Sequence, residues 1–145
     1  MRLMTIGFTK TSAEHFFERL IQAEVKRVVD VRLNNTSQLA GFAKENDLRY
    51  FLRAIGGIGY AHLPELAPTQ DIIDAYRKEK GDWSQFATRF LALMAARQVE
   101  NRVDPAVLAD GCLLCSEDKP HHCHRRLVAE YLQQKWSVPV EIRHL

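Results

Sequence analysis

The chain has 145 residues, 46% apolar and 26% charged. That length suits one domain, residues 1–145, burying roughly 68–70% of its unfolded surface without needing disulfides or metal. Twenty basic and 18 acidic residues leave a formal charge of +2 and a pI of about 8.5, short of the clustered excess that marks a dedicated nucleic-acid binder. The composition excludes disordered, collagen-like and coiled-coil chains. No apolar run reaches the ~18 residues of a membrane span, and the first eight residues carry neither a signal-peptide core nor a small-residue cleavage site.

In chain order, residues 2–6 form an apolar run closed by Gly7, a strand and its turn. Thr11 and Glu14 stand at capping-box spacing, and Phe16, Phe17, Leu20 and Ile21 repeat with a helical period. Residues 27–31 (RVVDV) are rich in β-branched side chains and predict a second strand. Residues 33–41 are polar and irregular, a loop. Leu48, Phe51, Leu52 and Ile55 predict a helix stopped by Gly56 and Gly57. A third strand is expected over 58–63.

Thr69 and Asp82 stand where helix caps belong. The first precedes Ile72, Ile73 and Tyr76; the second precedes Trp83, Phe86, Phe90, Leu93 and Met94, a stripe expected to be core. Residues 105–109 suit one more helical turn. Residues 111–115 (GCLLC) are almost wholly apolar, as a central parallel strand covered on both faces should be. A helix beginning near 120–123 carries Leu127, Val128, Tyr131 and Leu132. A closing strand is expected over 138–142, at an edge because Pro139 offers no ladder donor. The alternation predicts an α/β domain: a mostly parallel sheet of about five strands with helices on both faces. Ligands of such sheets bind beyond the carboxyl ends of the strands.

Four strand-end loops therefore hold the candidates. They begin at Gly7, Phe8 and Thr9; at Asp30 and Arg32, which share a face; around Tyr60 and His62; and at Cys115. The last is the richest. All three cysteines lie between 112 and 123, and His121, His122 and His124 lie beside Cys123. An odd cysteine count without a secretory signal points to reduced thiols in the cytoplasm. A helix start offers free N–H groups to an anion. Arg125 and Arg126 oppose the helix dipole there, which a bound anion would offset; pairing with Glu117, Asp118 or Glu130 is the plainer account.

Cys115 and Cys123 are the candidate nucleophiles, since a helix start and nearby Arg favour thiolate. Glu117 and His124 are the acid/base candidates. The phosphatase spacing of Cys, five residues, then Arg is absent. Cys112 and Cys115 have zinc-like C-x-x-C spacing, but three residues apart on a strand they face opposite sides; no cofactor is predicted, and a zinc site from Cys115, Cys123 and one or two histidines stays open as an alternative.

Several segments together resemble the domain-of-unknown-function-488 family over nearly the whole chain. They are Thr5, Ile6 and Gly7; Val29, Asp30, Val31 and Arg32, with Ser37 following; Ile58, Gly59 and Tyr60; and Leu113, Leu114, Cys115, Ser116 and Glu117 with Cys123, His124 and Arg125. The Leu-Cys-x-Glu and Cys-His-Arg block is the specific part. The chain departs from the family at Phe8 and Thr9, at Asn34, Asn35 and Gln38, and at Leu66, Ala67 and Pro68. The resemblance implies a compact cytoplasmic α/β domain and no settled activity.

Taken together, Gly7, Thr9, Asp30, Arg32, Ser37, Tyr60 and Arg125 are expected to bind an anion, with Arg32 and Arg125 forming its wall. The partner is expected to be a small phosphate-bearing ligand, such as a nucleotide, or a nucleic acid. It is either transformed by hydrolase- or transferase-type chemistry or only bound.

Overall fold

The computed structural model describes residues 1–36, 40–117 and 119–145. They form one α/β unit with a single sheet of five parallel strands: β1 (Arg2–Gly7), β2 (Arg27–Asp30), β3 (Gly59–His62), β4 (Gly111–Cys115) and β5 (Glu141–His144), in the order β3-β2-β4-β1-β5. The α-helices are α1 (Ala13–Gln22), α2 (Glu45–Gly56), α3 (Gln70–Arg77), α4 (Trp83–Arg97), α5 (Val99–Arg102), α6 (Pro105–Leu108) and α7 (His124–Lys135), with short 3-10 turns at Gly41–Ala43 and Pro64–Leu66. Among the described residues no helix is long and apolar enough to cross a membrane.

Strand alternation splits the core in two. Met4, Ile6, Val28, Cys112 and Leu114 face α1 and α2, meeting Phe16, Phe17, Leu48 and Leu52. Leu3, Val29, Leu113 and Cys115 face the other helices, meeting Phe90, Met94, Leu127 and Val128. Cys112 and Cys115 therefore lie on opposite faces, as their three-residue separation on a strand requires.

The register levels the strand ends. Gly7 pairs with Cys115, Asp30 with Leu114 and with His62. The chain leaving β1 and β2 runs to helices on one face, α1 and α2, whereas the chain leaving β4 runs to α7 on the other. Neighbouring strands whose connections diverge in this way open a crevice at their carboxyl ends. Cys115 stands in the middle of that rim.

Three boundaries differ from the sequence expectation. The cap of α1 is Ser12, not Thr11: Ser12 has extended backbone and its hydroxyl accepts from the His15 N–H at 3.1 Å. Helix α7 starts at His124, later than 120–123, because the Cys123 N–H closes a separate turn onto the Pro120 carbonyl at 3.2 Å and Cys123 itself is extended. The closing strand is Glu141–His144 rather than 138–142. Pairing starts where Glu141 can donate to the Met1 carbonyl, while Pro139 only accepts, from the Met1 ammonium. The strand does lie at an edge. Gly57 ends α2 with φ of +61°, the left-handed cap that glycine adopts most readily.

Candidate functional site

Two polar corners flank the end of β4. The first follows β2. Asp30 is fully buried, and Arg32 grips it with Nε and Nη2, both at 2.8 Å. The Asp30 carboxylate also accepts from the Tyr60 hydroxyl at 2.6 Å and from Asn35 at 3.4 Å. Burial pushes this carboxyl up, but the Arg32 hydrogen bonds and charge, with the Tyr60 hydroxyl, outweigh it and hold Asp30 below the ordinary carboxylate value. Burial and the facing Asp30 charge in turn raise the Tyr60 phenol well above its usual range. His62 donates through Nε2 to the Arg32 carbonyl at 2.8 Å, since a carbonyl can only accept. Arg32 is 3% exposed, its guanidinium lies 5.2 Å from the Phe8 ring centre, and its Nη1 has no hydrogen-bond partner among the described residues.

The second corner follows β4. Cys115, Cys123, His124 and Arg125 are all buried. His124 donates through Nε2 to the Val31 carbonyl at 2.7 Å, which leaves Nδ1 facing Cys115 Sγ at 3.3 Å. The carbonyl thus fixes the tautomer of the uncharged ring, in which the Nδ1 lone pair faces the thiol. A hydrogen bond from Cys123 holds the Cys115 thiol below its ordinary value; the Ser116 N–H and the Arg125 and Arg77 charges add to this against burial. Cys123, the donor of that pair and itself buried, is pushed up. Burial also raises Cys112, on the far face of the sheet.

Arg125 is 0% exposed. Its Nε donates to Thr5 Oγ1 at 3.3 Å and its Nη1 to the Glu117 carbonyl at 2.5 Å. That carbonyl lies so close to Gly7 that a Cβ there would sit 1.5 Å from it. Gly7 is therefore a close-approach glycine: the loop leaving β4 rests on its bare backbone, and Arg125 pins the loop down. Thr9 adds a hydroxyl bond to the Ser116 carbonyl at 2.6 Å. The neighbouring Arg126 pairs with Glu130 at 3.5 Å, the plainer of the two accounts of that residue.

Between the corners lies a cleft of about 270 Å³. Cys115, Cys123, His124 and Arg32 line its base, and Glu117 stands at its rim, paired with Arg77 at 3.8 Å. Arg125, Gly7, Thr9, Asp30 and Tyr60 are not among the lining residues. The expected wall of two arginines is thus divided: Arg32 reaches the cleft, and Arg125 is spent inside the protein. Ser37 lies outside the described residues.

Sequence reasoning missed the opposite wall, which α3 and α4 supply through Tyr76, Arg77, Lys78 and Trp83. Trp83, expected to be core, is only half-buried. It stacks on Phe86 at 5.0 Å and on His122 at 5.1 Å, and His122 stacks on His121 at 4.4 Å. Its position one turn before Phe86 was the available signal, since the first residue of an amphipathic stripe often surfaces at the helix end. The Sγ atoms of Cys115 and Cys123 and a ring nitrogen of His124 lie within 4.8 Å of one another, a set that could hold a soft metal ion.

The parallel sheet, the divergent loops and the cysteine–histidine pair at the central strand end define an α/β domain with a cysteine- and histidine-lined cleft. A sequence model described as "Domain of unknown function DUF488" matches residues 12–132, and the chain belongs to that family. The match takes in Asp30, Arg32, Tyr60, the α3–α4 wall and Cys115 through Arg125, while Thr5, Gly7, Phe8 and Thr9 lie before its start. Comparison with curated proteins and with solved structures finds no match.

Proposed function

We propose that the chain is a thiol-dependent enzyme of the reduced cytoplasm acting on a small phosphate-bearing ligand, such as a nucleotide. The observation that carries this reading is the buried Arg32, which lines the same cleft as the Cys115–His124 pair and whose Nη1 has no hydrogen-bond partner among the described residues. A buried donor without a partner costs about 1–3 kcal/mol, and an anion placed there removes that cost. Asp30 fixes the other edge of the guanidinium, so the free edge is held in place for a ligand oxygen.

The chemistry follows from the second corner. Cys115 Sγ attacks the phosphorus, forming an S–P bond as the P–O bond to the leaving group breaks. His124 Nδ1, having taken the thiol proton, returns it to the leaving oxygen. A water or acceptor hydroxyl then displaces the thiol, its proton passing to Nδ1. Glu117 at the rim is the second acid/base group within the cleft, and Arg77 adds cationic charge beside it. The half-buried Trp83 and Tyr76, packed edge-on, offer an aromatic wall to the remainder of the ligand.

The test is alkylation of Cys115 across pH 5–10, with and without inorganic phosphate. A thiol more acidic than the ordinary ~8.5, protected by phosphate in the native protein but not in Asp30→Asn/Arg32→Leu, supports the reading. A Cys115 that titrates at or above that value, or is never protected, removes it. Stoichiometric zinc in freshly purified protein would replace it with a metal site.

A further inference from the structure

On the other face of the sheet, away from the cleft, α1 and α2 leave an apolar groove of about 650 Å³. Its floor and walls are Phe17, Ile21, Phe42, Phe51 and Ile55. Phe17 meets Phe42 and Phe51 edge-on, each at 6.0 Å, which gives the floor a fixed shape. Ile21 is 44% and Ile55 52% exposed, and with Tyr50 of α2 they are three of the four large apolar side chains exposed on the chain's described surface. Single exposed apolar residues are ordinary; a contiguous concave set marks a binding face.

The rim has one sign of charge. Glu14, Glu18 and Asp47 line the groove, no Lys or Arg does, and none of the three forms an ion pair among the described residues. This stands against a chain of formal charge +2. The lining residues fall once per turn along both helices: 14, 17, 18 and 21 on α1, and 47, 51 and 55 on α2. The groove therefore runs the length of the helix pair, about 15–18 Å at 1.5 Å per residue.

We infer that this groove docks a cationic amphipathic helix of about three turns from another protein. Its apolar side chains at i, i+3/i+4 and i+7 enter between Phe17, Phe51 and Ile55, and Lys or Arg on its flanks meet Glu14, Glu18 and Asp47. The charge decides among occupants. A second copy would bring the same three carboxylates against these, and an anionic lipid surface would be repelled by them.

The experiment uses the full chain, isotope-labelled for NMR, and three synthetic 12-residue peptides. One carries Leu at helical spacing flanked by Lys, one replaces each Lys with Glu, and one replaces each Leu with Ser. The Leu/Lys peptide is expected to shift the amides of Phe17, Ile21, Phe51 and Ile55, and to bind about tenfold more tightly than its Glu twin in low salt, because the three rim carboxylates attract the one and repel the other. Ile21→Lys/Ile55→Lys, at exposed positions, is expected to abolish those shifts while Cys115 alkylation stays unchanged. Binding of the Glu or Ser peptide as tight as the Leu/Lys peptide, or shifts confined to other faces, would overturn the inference. So would groove amides that move with protein concentration alone, which would assign the face to self-association.

Discussion

Arg32, just past the end of β2, and Arg125, in the first turn of α7, are both buried, and they do opposite things. Arg125 gives its Nε and Nη1 to Thr5 and to the Glu117 carbonyl, and the loop it holds rests on Gly7. Arg32, which lines the cleft, gives one edge to Asp30, and its Nη1 has no partner among the described residues. A guanidinium has five donors in a rigid fork, so how many of them the protein itself satisfies separates a clamp from a binding group. Both guanidinium groups donate through two nitrogens; Arg125 spends them on two separate segments, whereas Arg32 spends both on one carboxylate and its Nη1 has no partner among the described residues.

That contrast breaks first at the clamp. Gly7→Ala and Arg125→Ala are each expected to cost about 3–5 kcal/mol in urea denaturation, the first by driving a Cβ into the Glu117 carbonyl and the second by leaving a cavity and two unpaired acceptors. A loss below about 1 kcal/mol would mean the loop after β4 does not depend on them. Arg32→Leu alone leaves Asp30 charged and unpaired inside the protein and is expected to cost a similar or slightly smaller amount. The double variant Asp30→Asn/Arg32→Leu should recover much of that stability, yet stay blind to phosphate. Recovery of both would show that the arginine serves folding only.

Next in size is the effect of acid. Asp30 has its carboxyl lowered in the folded chain. Its contribution to stability is therefore complete above the unfolded value near 3.9 and disappears as pH falls through the lower folded value. Urea midpoints measured from pH 7 to pH 2 should fall more steeply for the native chain than for Asp30→Asn/Arg32→Leu; parallel curves would contradict the pairing. Smallest in stability is Cys115→Ser, expected to change it by about 1 kcal/mol while removing the acidic, phosphate-protected thiol altogether, as seen by alkylation and mass spectrometry. If rapid alkylation persists in that variant, Cys123 is the reactive thiol and the assignment of the pair reverses.

Much of the fold was legible because its signals are local. GCLLC coincides with β4 to the residue, since a strand covered on both faces needs an unbroken apolar run. Gly57 stops α2 and Asp82 caps α4, its carboxylate accepting from Ser84 and Gln85. Boundaries slipped where a competing bond lay outside the local window, as with the Met1 carbonyl that sets the start of β5. Within the site, the pairing of Cys115 with His124 was within reach of the sequence only as two residue types near one loop. The Val31 carbonyl that orients the imidazole comes from the residue just past the end of β2, 93 residues away.

The sequence by itself determined the parallel α/β class, the four strand-end loops and the concentration of thiols and imidazoles after β4, because period, turn chemistry and residue type act over a few neighbours. Tertiary structure alone decided which arginine lines the cleft, which wall faces the thiol and that a second, acidic-rimmed groove exists on the far face. Those properties depend on what fills the space around a side chain, and that space is built by segments distant in the chain.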